Sequence, residues 1–341
     1  MKSFKNIFNP LRIISIVFFT LLFLFIAVFI YLMFGSVEQN SEINFGVTFS
    51  QVSAEEMDID WQEAYISILD DLGVKKLRLI AYWQKIEPNK GEYSFNDLDW
   101  QINEAKKRGA EVILAVGSKL PGYSECYIPE WSKELNEEEK QESALLFLKE
   151  VINHYSSEEI IKSWQIEDNP FQKISQECVK IDKEFLNKEI SLVKELDFAR
   201  KPVMLTVSGE LNNWFRPALI SDDLGISVYR NNWTQYWGYF KYPIKPIFYK
   251  KMASLVKFFT EIDNIVIIEL QAEPKGSKLI SEMSFVEWNR SMDLDKFKDT
   301  VDYVSKTGFD EVYFKGAEWW YYLKGEGNNS FWSEAKKLWS E

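Results

Sequence analysis

The strongest constraint on the fold is an eightfold alternation that begins near Ile43. Short runs rich in Val, Ile and Leu alternate with longer amphipathic stretches. Strands that alternate with helices of this length indicate a parallel sheet, and eight such units in roughly 300 residues predict a closed (β/α)8 barrel of the α/β class. The predicted strands are Phe45–Phe49, Lys76–Ile80, Val112–Val116, Ser163–Ile166, Val203–Val207, Gly225–Tyr229, Ile265–Glu269 and Glu311–Phe314.

Helical patterns follow these strands and complete the eight units. A doubly wound open sheet is the alternative topology, but no Gly-x-Gly-x-x-Gly follows any strand, so a dinucleotide-binding fold has little support. We therefore expect one TIM barrel over residues 44–341 and no second domain. The helix after strand five, within Leu211–Ile220, is only weakly indicated. The other predicted helices are Trp61–Leu72, Asn96–Arg108, Glu137–Tyr155, Asp182–Leu196, Ile247–Phe259, Leu294–Lys306 and Ser330–Trp339.

A long apolar segment precedes the barrel. Ile13–Phe34 carries no charge and is long enough to span a bilayer, which takes about 20 apolar residues in a helix. The flank before it is basic, and this excess of positive charge places the N-terminal side in the cytoplasm. A cleaved signal peptide is the alternative, although its apolar core would be shorter, at about 7–15 residues. We expect a cytoplasmic tail at 1–12, a single-pass signal anchor at 13–34, a tether at 35–43 and an extracytoplasmic barrel.

The net charge of −12 argues against nucleic acid as a partner, because phosphate binding needs clustered Lys and Arg. The single histidine, His154, lies in a helical pattern away from the strand ends, so a Ser-His-Asp triad has no plausible base. No ligand spacing suggests zinc, and no phosphate-binding loop is present. We therefore expect neither a metal nor a cofactor.

Two cysteines, Cys126 and Cys178, fall in the loops after strands three and four. Outside the cytoplasm such a pair can form a disulfide, and we favour that bridge over two unpaired thiols.

The C-terminal ends of barrel strands form the functional face of this fold. Carboxylates, amides and large aromatic side chains recur there, and Arg78 lies within strand two. Aromatic faces suit the apolar faces of sugars and planar polar groups suit their hydroxyls, so the pattern predicts a carbohydrate site. Because the chain is rich in aromatic residues, many of them will be core, and AEWWYYLK (317–324) could be a buried helix start. The residues at the strand ends are Tyr82, Trp83, Glu87, Tyr123, Glu125, Tyr127, Ser208, Glu210, Tyr229, Arg230, Trp233, Glu269, Gln271, Glu273, Glu318, Trp319, Trp320, Tyr321 and Tyr322.

Several of these stretches resemble the retaining glycoside hydrolases with (β/α) barrels that form clan A. IEPNKGEYSFNDLDW (86–100) is similar to the segment that follows strand two in many of them. RKPVMLTVSGE (200–210), GISVYR (225–230), IIELQAEP (267–274) and GAEWWYYLK (316–324) resemble a cellulase-like family of that clan, whose members are mostly uncharacterised bacterial proteins. The resemblance runs from about Gly46 to Trp339.

The resemblance implies roles for several residues. Glu269, at the end of strand seven, corresponds to the nucleophile, and Glu273 is a weaker candidate. Tyr229 corresponds to the strand-six residue that hydrogen-bonds the nucleophile, and Arg78 to the arginine that keeps it ionised. Trp320, or less favourably Trp319, corresponds to the platform under the sugar. The wider expected substrate-binding set is Arg78, Trp83, Tyr229, Trp319, Trp320, Glu210, Gln271 and Glu273.

The match fails at the acid/base position. Where the clan has Glu-Asn-Glu-Pro after strand four, this chain has Glu167-Asp168-Asn169-Pro170, and an amide cannot donate the proton. Strand alternation predicts that Glu167 points inward one layer deeper and that Asp168 points away, unless the loop turns or a bulge brings Asp168 inward. Both are candidate substitutes for the acid. Glu125 and Glu210, on adjacent loops, are further candidates to reach the site.

Three functions remain open on the sequence alone. The first is a retaining glycosidase acting on β-linked oligo- or polysaccharide with a relocated or weakened acid. The second is a catalytically silent barrel, a pseudoenzyme that binds glycan at the cell surface. The third is an unrelated structural ectodomain.

Overall fold

The predicted barrel is confirmed by the computed structural model, which describes residues 10–40, 42–122, 126–172, 178–210 and 212–340. Eight parallel strands close into a barrel in the order β1-β10-β9-β6-β5-β4-β3-β2. Two further strands, β7 and β8, form an antiparallel hairpin outside it. The strands are β1 Asn44–Thr48, β2 Lys76–Tyr82, β3 Glu111–Gly117, β4 Ile161–Ile166, β5 Val203–Ser208, β6 Asp223–Val228, β7 Asn231–Thr234, β8 Gly238–Lys241, β9 Asn264–Gln271 and β10 Glu311–Lys315.

Helices cover the outside of the barrel at the places that the amphipathic patterns predicted. Their starts are set by local chemistry: Asp182 accepts from two backbone N–H groups at the start of α7, and Asn136 forms a capping box with Glu139 at the start of α6. The helices are α1 Pro10–Met33, α2 Gln51–Glu56, α3 Trp61–Asp70, α4 Trp83–Ile86, α5 Asn96–Lys107, α6 Glu137–Tyr155, α7 Lys183–Leu196, α8 Phe215–Ala218, α9 Pro246–Phe259, α10 Phe285–Ser291, α11 Leu294–Ser305, α12 Ala317–Gly325 and α13 Ser330–Lys336.

The main hydrophobic core lies between the barrel and these helices and draws on nearly every element of the fold. A separate buried cluster is built only from strand residues, so it fills the barrel interior. Gly225 makes room there, because a Cβ at that position would lie 2.7 Å from the Ile268 side chain. The cluster consists of Ile113, Met204, Val266, Ile268 and Tyr313.

The N-terminal helix α1 contains a 22-residue segment, Arg12–Met33, that is long and apolar enough to cross a membrane. A signal sequence would meet the same description. The helix therefore supports the predicted anchor at 13–34 by its length and apolar composition only. The first nine residues of the predicted tail lie outside the described part of the chain.

The hairpin β7–β8 was not predicted. It follows β6 on the functional face, turns at Gly238 with a positive φ of 65°, and exposes Tyr236 and Trp237 at its tip. Two of its neighbours along the chain, Tyr229 and Tyr242, line the mouth of the barrel, so the hairpin forms part of the wall of the site.

A disulfide joins Cys126 to Cys178, with Cα atoms 5.8 Å apart. It ties the loop after β3 to the loop after β4, beside the predicted acid position. The two cysteines are separated by 52 positions in sequence, and cross-linking a loop of this length contributes about 4 kcal/mol in the chain-entropy treatment.

Candidate active site

A cavity of about 190 Å³ opens at the C-terminal ends of the strands. Its walls are polar and carry charged groups of both signs. The cavity draws on the ends of β5, β6, β9 and β10, on the loops after β3 and β4, and on the hairpin. The lining residues are Gly122, Asp168, Asn169, Gln172, Ser208, Glu210, Ser227, Tyr229, Asn232, Tyr242, Glu269, Lys275 and Lys315.

Glu269 lies at the floor of this cavity near the end of β9, with both carboxylate oxygens bound. Arg78 donates from Nη1 to Oε2 at 3.1 Å, and the hydroxyl of Tyr229 donates to Oε1. Lys315 Nζ lies 3.0 Å from Oε1. Burial alone would raise the pKa of Glu269, but the positive charges of Lys315 and Arg78 and the Tyr229 hydrogen bond lower it to about 2. The carboxylate is therefore ionised throughout the physiological range.

Arg78 is fully buried and organises the cavity floor from β2. Its Nε donates to Gln165 at 2.7 Å, and its two terminal nitrogens bind Asp168 at 2.8 Å and Glu269 at 3.1 Å. A buried guanidinium needs this full set of acceptors, because an unpaired buried charge is strongly destabilising. Two carboxylates, one in the loop after β4 and one on β9, are thus bound by the two terminal nitrogens of one side chain.

Lys315 was missed by the sequence reasoning. The eighth strand was predicted to end at Phe314 and the functional residues after it to begin at Glu318, whereas β10 extends to Lys315. Its ammonium lies 3.0 Å from Glu269 and 3.8 Å from Glu273. Burial lowers the pKa of Lys315, but these carboxylates and Tyr229 outweigh burial and hold it well above its usual value. A lysine directly at the end of a barrel strand was the available signal.

Strand β4 ends at Ile166, and the turn that follows reverses the side-chain directions that were predicted for Glu167 and Asp168. Glu167 and Asn169 both have left-handed backbone, with φ of 55° and 46°. Regular strand alternation therefore stops at Glu167, two residues before the predicted acid position at Asn169. Of the two open possibilities, the turning loop is the one that the structure adopts, and Asp168 points into the cavity.

Glu167 is accordingly not a substitute acid, and its predicted inward orientation is wrong. Its carboxylate is fully buried and accepts from the backbone N–H groups of Ser118 at 2.9 Å and Lys119 at 2.6 Å. It lies so close to Gly117 that a Cβ there would be 2.5 Å from its carboxyl carbon. Glu167 holds the loop after β3 in place rather than facing the ligand cavity.

A second buried carboxyl, Glu189 on α7, hydrogen-bonds Glu167. Burial and the charge of Glu167 raise the pKa of Glu189 well above its ordinary value, so Glu189 carries the proton that the pair shares. One of its oxygens, Oε2, has no hydrogen-bond partner among the described residues.

Asp168 reaches the cavity but is engaged as an acceptor. Its Oδ1 accepts from Arg78 at 2.8 Å and from the Thr206 hydroxyl at 3.0 Å. Its Oδ2 accepts from the Asn169 amide at 3.1 Å. Both oxygens of Asp168 therefore already accept hydrogen bonds from neighbouring side chains.

Asn169, the residue at the predicted acid position, lines the cavity wall. Its backbone N–H donates to Thr206 Oγ1 at 2.7 Å, and its Nδ2 donates to Asp168. Its buried Oδ1 has no hydrogen-bond partner among the described residues.

Glu210 follows β5 and lies in the same cavity wall as Asp168. Unlike Asp168, which accepts from Arg78, Glu210 accepts from neutral donors. Its Oε1 accepts from the Tyr229 backbone N–H at 2.6 Å and the Tyr249 hydroxyl at 3.2 Å, and its Oε2 is 3.0 Å from the Ser208 hydroxyl. Burial raises the pKa of Glu210 to about 7, and these neutral donors offset it only in part. Glu210 is therefore a carboxyl that binds a proton near neutral pH within the cavity.

The predicted aromatic platforms are wrong. Trp319 and Trp320 are buried in α12, where Trp320 donates to the Ala272 carbonyl at 2.8 Å and Trp319 packs against Phe331. Trp83 is buried as well: its ring stacks on Phe147 of α6, and its Nε1 donates to the Glu87 carboxylate. A ring with no exposed face cannot stack on a sugar, and the structure adopts the buried-helix alternative for AEWWYYLK.

Gln271 is also not available to a ligand, contrary to the expectation from sequence. Its side chain is fully buried, and both ends of its amide bond the backbone of Asn231, at 2.9 Å and 2.6 Å. It fixes the start of the hairpin. Tyr123 and Glu125, named from their position after strand three, lie outside the described residues.

Glu273 lines a smaller neighbouring cavity of about 40 Å³, on the other side of Lys315. Burial raises its pKa, partly offset by Lys315. Because it faces that cavity rather than the one that contains Glu269 and Tyr229, it is the less suitable of the two candidate nucleophiles. Among the described residues, no three His, Cys, Asp or Glu side chains lie together in a way that could hold a metal ion.

Comparison with known proteins supports the resemblance drawn from sequence. A family model described as β-galactosidase matches residues 53–143, which is less than a third of the chain. No curated protein matches it. The chain therefore resembles the clan A glycoside hydrolases in this segment and in its fold.

Solved structures with the same fold are numerous and distant in sequence. A GH5_18 protein from Bifidobacterium longum subsp. longum is 14% identical with a TM-score of 0.57, over 81% of this chain and 70% of that one. An endo-β-1,4-xylanase from Gloeophyllum trabeum is 12% identical with a TM-score of 0.54, over 81% and 84%. A β-galactosidase from Rahnella sp. R3 is 11% identical with a TM-score of 0.54, over 83% of this chain. The chain spans 52% of the length of that β-galactosidase.

Proposed function

We propose that the chain acts on β-linked glycan as a retaining glycoside hydrolase in which Glu269 is the nucleophile. The observation that carries this proposal is the binding of Glu269 by Arg78 and Tyr229 at the floor of an open cavity. A nucleophilic carboxylate must be ionised and fixed in direction, and these contacts supply both properties. The surrounding hydroxyl and amide groups of Ser208, Ser227 and Asn232 suit the hydroxyls of a sugar.

In the first step Glu269 attacks the anomeric carbon, and the bond from that carbon to the leaving oxygen breaks. The leaving oxygen then needs a proton, which the amide of Asn169 cannot supply. Both oxygens of Asp168 are already engaged by side-chain donors of the protein. In the second step water attacks the glycosyl-enzyme and releases Glu269, with a base taking the proton from water.

We assign the proton transfers to Glu210. It lines the same cavity as Glu269, and burial raises its pKa to about 7, which suits a group that gives a proton in one step and takes it back in the next. Its position on β5 rather than β4 makes the geometry different from that of the clan. Turnover of natural glycans is therefore expected to be slow.

Binding without turnover is the second candidate function. It is favoured by Lys315, which occupies an oxygen of Glu269 with a second positive charge, and by Asn169 at the acid position. In that case the cavity serves as a glycan-binding site of a pseudoenzyme at the cell surface.

We further propose the arrangement of the chain at the membrane. Residues 1–12 lie in the cytoplasm, and residues 13–34 cross the membrane once. Residues 35–43 connect this anchor to the barrel, which residues 44–341 form outside the cytoplasm. The helix α1 supports the crossing, and the disulfide between Cys126 and Cys178 suits an oxidising extracytoplasmic compartment.

The experiment that tests the proposed function uses 2,4-dinitrophenyl β-glycosides of galactose, xylose, mannose and glucose. Their leaving group needs no proton, so a working nucleophile should release a burst of dinitrophenol even without an acid. Glu269→Gln is the control and should abolish the burst. If the wild-type chain releases no dinitrophenol from any of the four sugars, either as a burst or at a steady rate, their hydrolysis through Glu269 is contradicted. Binding of the matching oligosaccharides by calorimetry would then support the second candidate.

A further inference from the structure

Four large apolar side chains are exposed on the face opposite the cavity. Phe198 is 93% exposed, Leu219 67%, Phe258 79% and Phe259 64%. They stand at the C-terminal ends of the consecutive helices α7, α8 and α9, which lie at the N-terminal ends of the strands, and Phe259 contacts α8 through Phe215 at 6.3 Å between ring centroids. We call these four residues the basal patch. A cluster of large apolar side chains with this exposure marks an interaction surface.

Helix α9 has three charged side chains, Lys250, Lys251 and Lys257, and all three are basic. The whole protein, in contrast, has a net charge of −12, and the acidic residues Glu261 and Asp263 directly follow the helix. A basic helix that ends in exposed phenylalanines suits the surface of an anionic bilayer, where cations attract lipid headgroups and aromatic rings enter the interface.

The apolar helix α1 is docked on this same helix rather than loosely tethered. Lys251 Nζ donates to the carbonyls of Tyr31 at 2.6 Å and Phe34 at 2.7 Å. Its ammonium lies 4.3 Å from the ring centroid of Tyr31, and that of Lys245 lies 5.3 Å from the ring centroid of Phe34. The lysine thus satisfies carbonyls at the end of α1, which intrahelical bonds leave without a partner.

The order of these contacts gives the direction of α1. Lys251 binds the carbonyls of both residues, but the ring of Phe34 lies beside Lys245 and the ring of Tyr31, about one turn earlier in the chain, lies beside Lys251. Helix α1 therefore leads toward the C-terminal end of α9, and Phe258 lies about 10 Å further along that helix at 1.5 Å per residue. The apolar segment and the basal patch thus lie on the same side of the barrel.

We propose that the basal patch lies on the outer surface of the bilayer beside the anchor, so that the barrel is held with its cavity facing away from the membrane. This orientation rests on the proposed anchoring of α1 and does not depend on the sugar chemistry. The rings of Phe198, Phe258 and Phe259 enter the interface, and Lys257 contacts anionic headgroups. The glycan would then approach from the side opposite the lipid.

The test uses the full chain in vesicles of phosphatidylcholine and phosphatidylglycerol. Both native cysteines are in the disulfide, so a cysteine introduced by Phe198→Cys or Phe259→Cys is a single site for an environment-sensitive dye. Asn103→Cys is the matched control, because Asn103 is exposed on α5, on the opposite side of the barrel.

We expect a blue shift and quenching by nitroxide-labelled lipid headgroups at positions 198 and 259, and neither effect at position 103. The same emission at all three positions would overturn the proposal. A blue shift that increases with the ratio of protein to lipid, without quenching by nitroxide-labelled headgroups, would also overturn the proposal. A second copy of the chain, rather than lipid, would then cover the patch. A different result would contradict the anchoring itself. If intact mass spectrometry shows that the barrel is released from membranes without residues 1–34, α1 is cleaved and does not anchor the chain.

Discussion

Lys315 Nζ lies 3.0 Å from Oε1 of Glu269, the oxygen that also accepts from the Tyr229 hydroxyl. The contact has two opposed effects. The ammonium keeps Glu269 ionised, but by binding Oε1 it also makes that oxygen a weaker nucleophile. Together with Arg78 on Oε2, it leaves a carboxylate with strong positive neighbours on both sides. The balance of these effects decides between slow hydrolysis and binding alone.

Removing this ammonium by Lys315→Met should raise the pKa of Glu269 from about 2 toward its ordinary value of 4.5. Activity on an activated aryl glycoside needs ionised Glu269, so its acid limb should shift to higher pH. The rate on the pH plateau should rise, because a less stabilised carboxylate is more nucleophilic. The pH profile of kcat/KM measures both effects. Lys275→Met, at a lysine in the same cavity, is the control, and an unchanged acid limb in Lys315→Met would contradict the role of Lys315.

Glu210→Gln tests the proposed proton donor. A general acid works only while protonated, so hydrolysis of an unactivated oligosaccharide should fall as pH rises through about 7, the pKa of Glu210. The Gln variant should lose most of this activity, by roughly 10²-fold, and the pH dependence with it. Its burst with a dinitrophenyl glycoside should persist. A Gln variant that keeps the same basic limb would show that another group carries the proton.

Asn169→Glu should increase hydrolysis of unactivated glycans, by about 10²-fold where a well-placed acid is restored. The new carboxyl would stand in the cavity wall, beside the Asp168 carboxylate, whose negative charge favours the protonated form that an acid requires. Asn169→Gln has the same length without the proton and should give no increase. Equal activity of the Glu and Gln variants would count against a lost acid at this position.

The pair of Glu167 and Glu189 predicts how stability depends on pH. Burial raises the pKa of Glu189 well above its ordinary value of 4.5. Its bound proton therefore stabilises the fold fully below about pH 4.5, and this contribution is lost as pH rises through the folded-state pKa. Glu189→Gln, which needs no proton to donate to Glu167, should raise the melting temperature at pH 8 and change it little at pH 4. The exposed Glu184→Gln on the same helix should change neither, and an unstabilised Glu189→Gln at pH 8 would refute the shared proton.

Much of the fold was predictable because it depends on repeated local patterns. Each predicted barrel strand overlaps an observed one, and the helix starting at Asn96 begins where predicted. The contacts of Glu269 with Arg78 and Tyr229 also agree with the geometry that the resemblance implied. Strand order and register place such residues together once the barrel is known.

The remaining features depend on tertiary context that residue order does not reveal. Two left-handed residues after β4 exchange the directions of Glu167 and Asp168, and no local signal marks a positive φ at a glutamate. Trp319 and Trp320 were placed by their position after strand eight, whereas helix packing buries both rings. Lys315 was overlooked because a strand boundary differed by one residue, and boundaries are the least certain part of a sequence-based prediction.

The most direct measurement of the central claim is trapping of the glycosyl-enzyme. Activated 2-deoxy-2-fluoro β-glycosides of galactose, xylose, mannose and glucose should label a retaining nucleophile, because the fluorine slows the second step more than the first. Intact mass spectrometry should show addition of one sugar, peptide mapping should place it on Glu269, and Glu269→Gln should remain unlabelled. A chain that stays unlabelled by all four sugars, or that is labelled at another residue, would contradict Glu269 as the nucleophile.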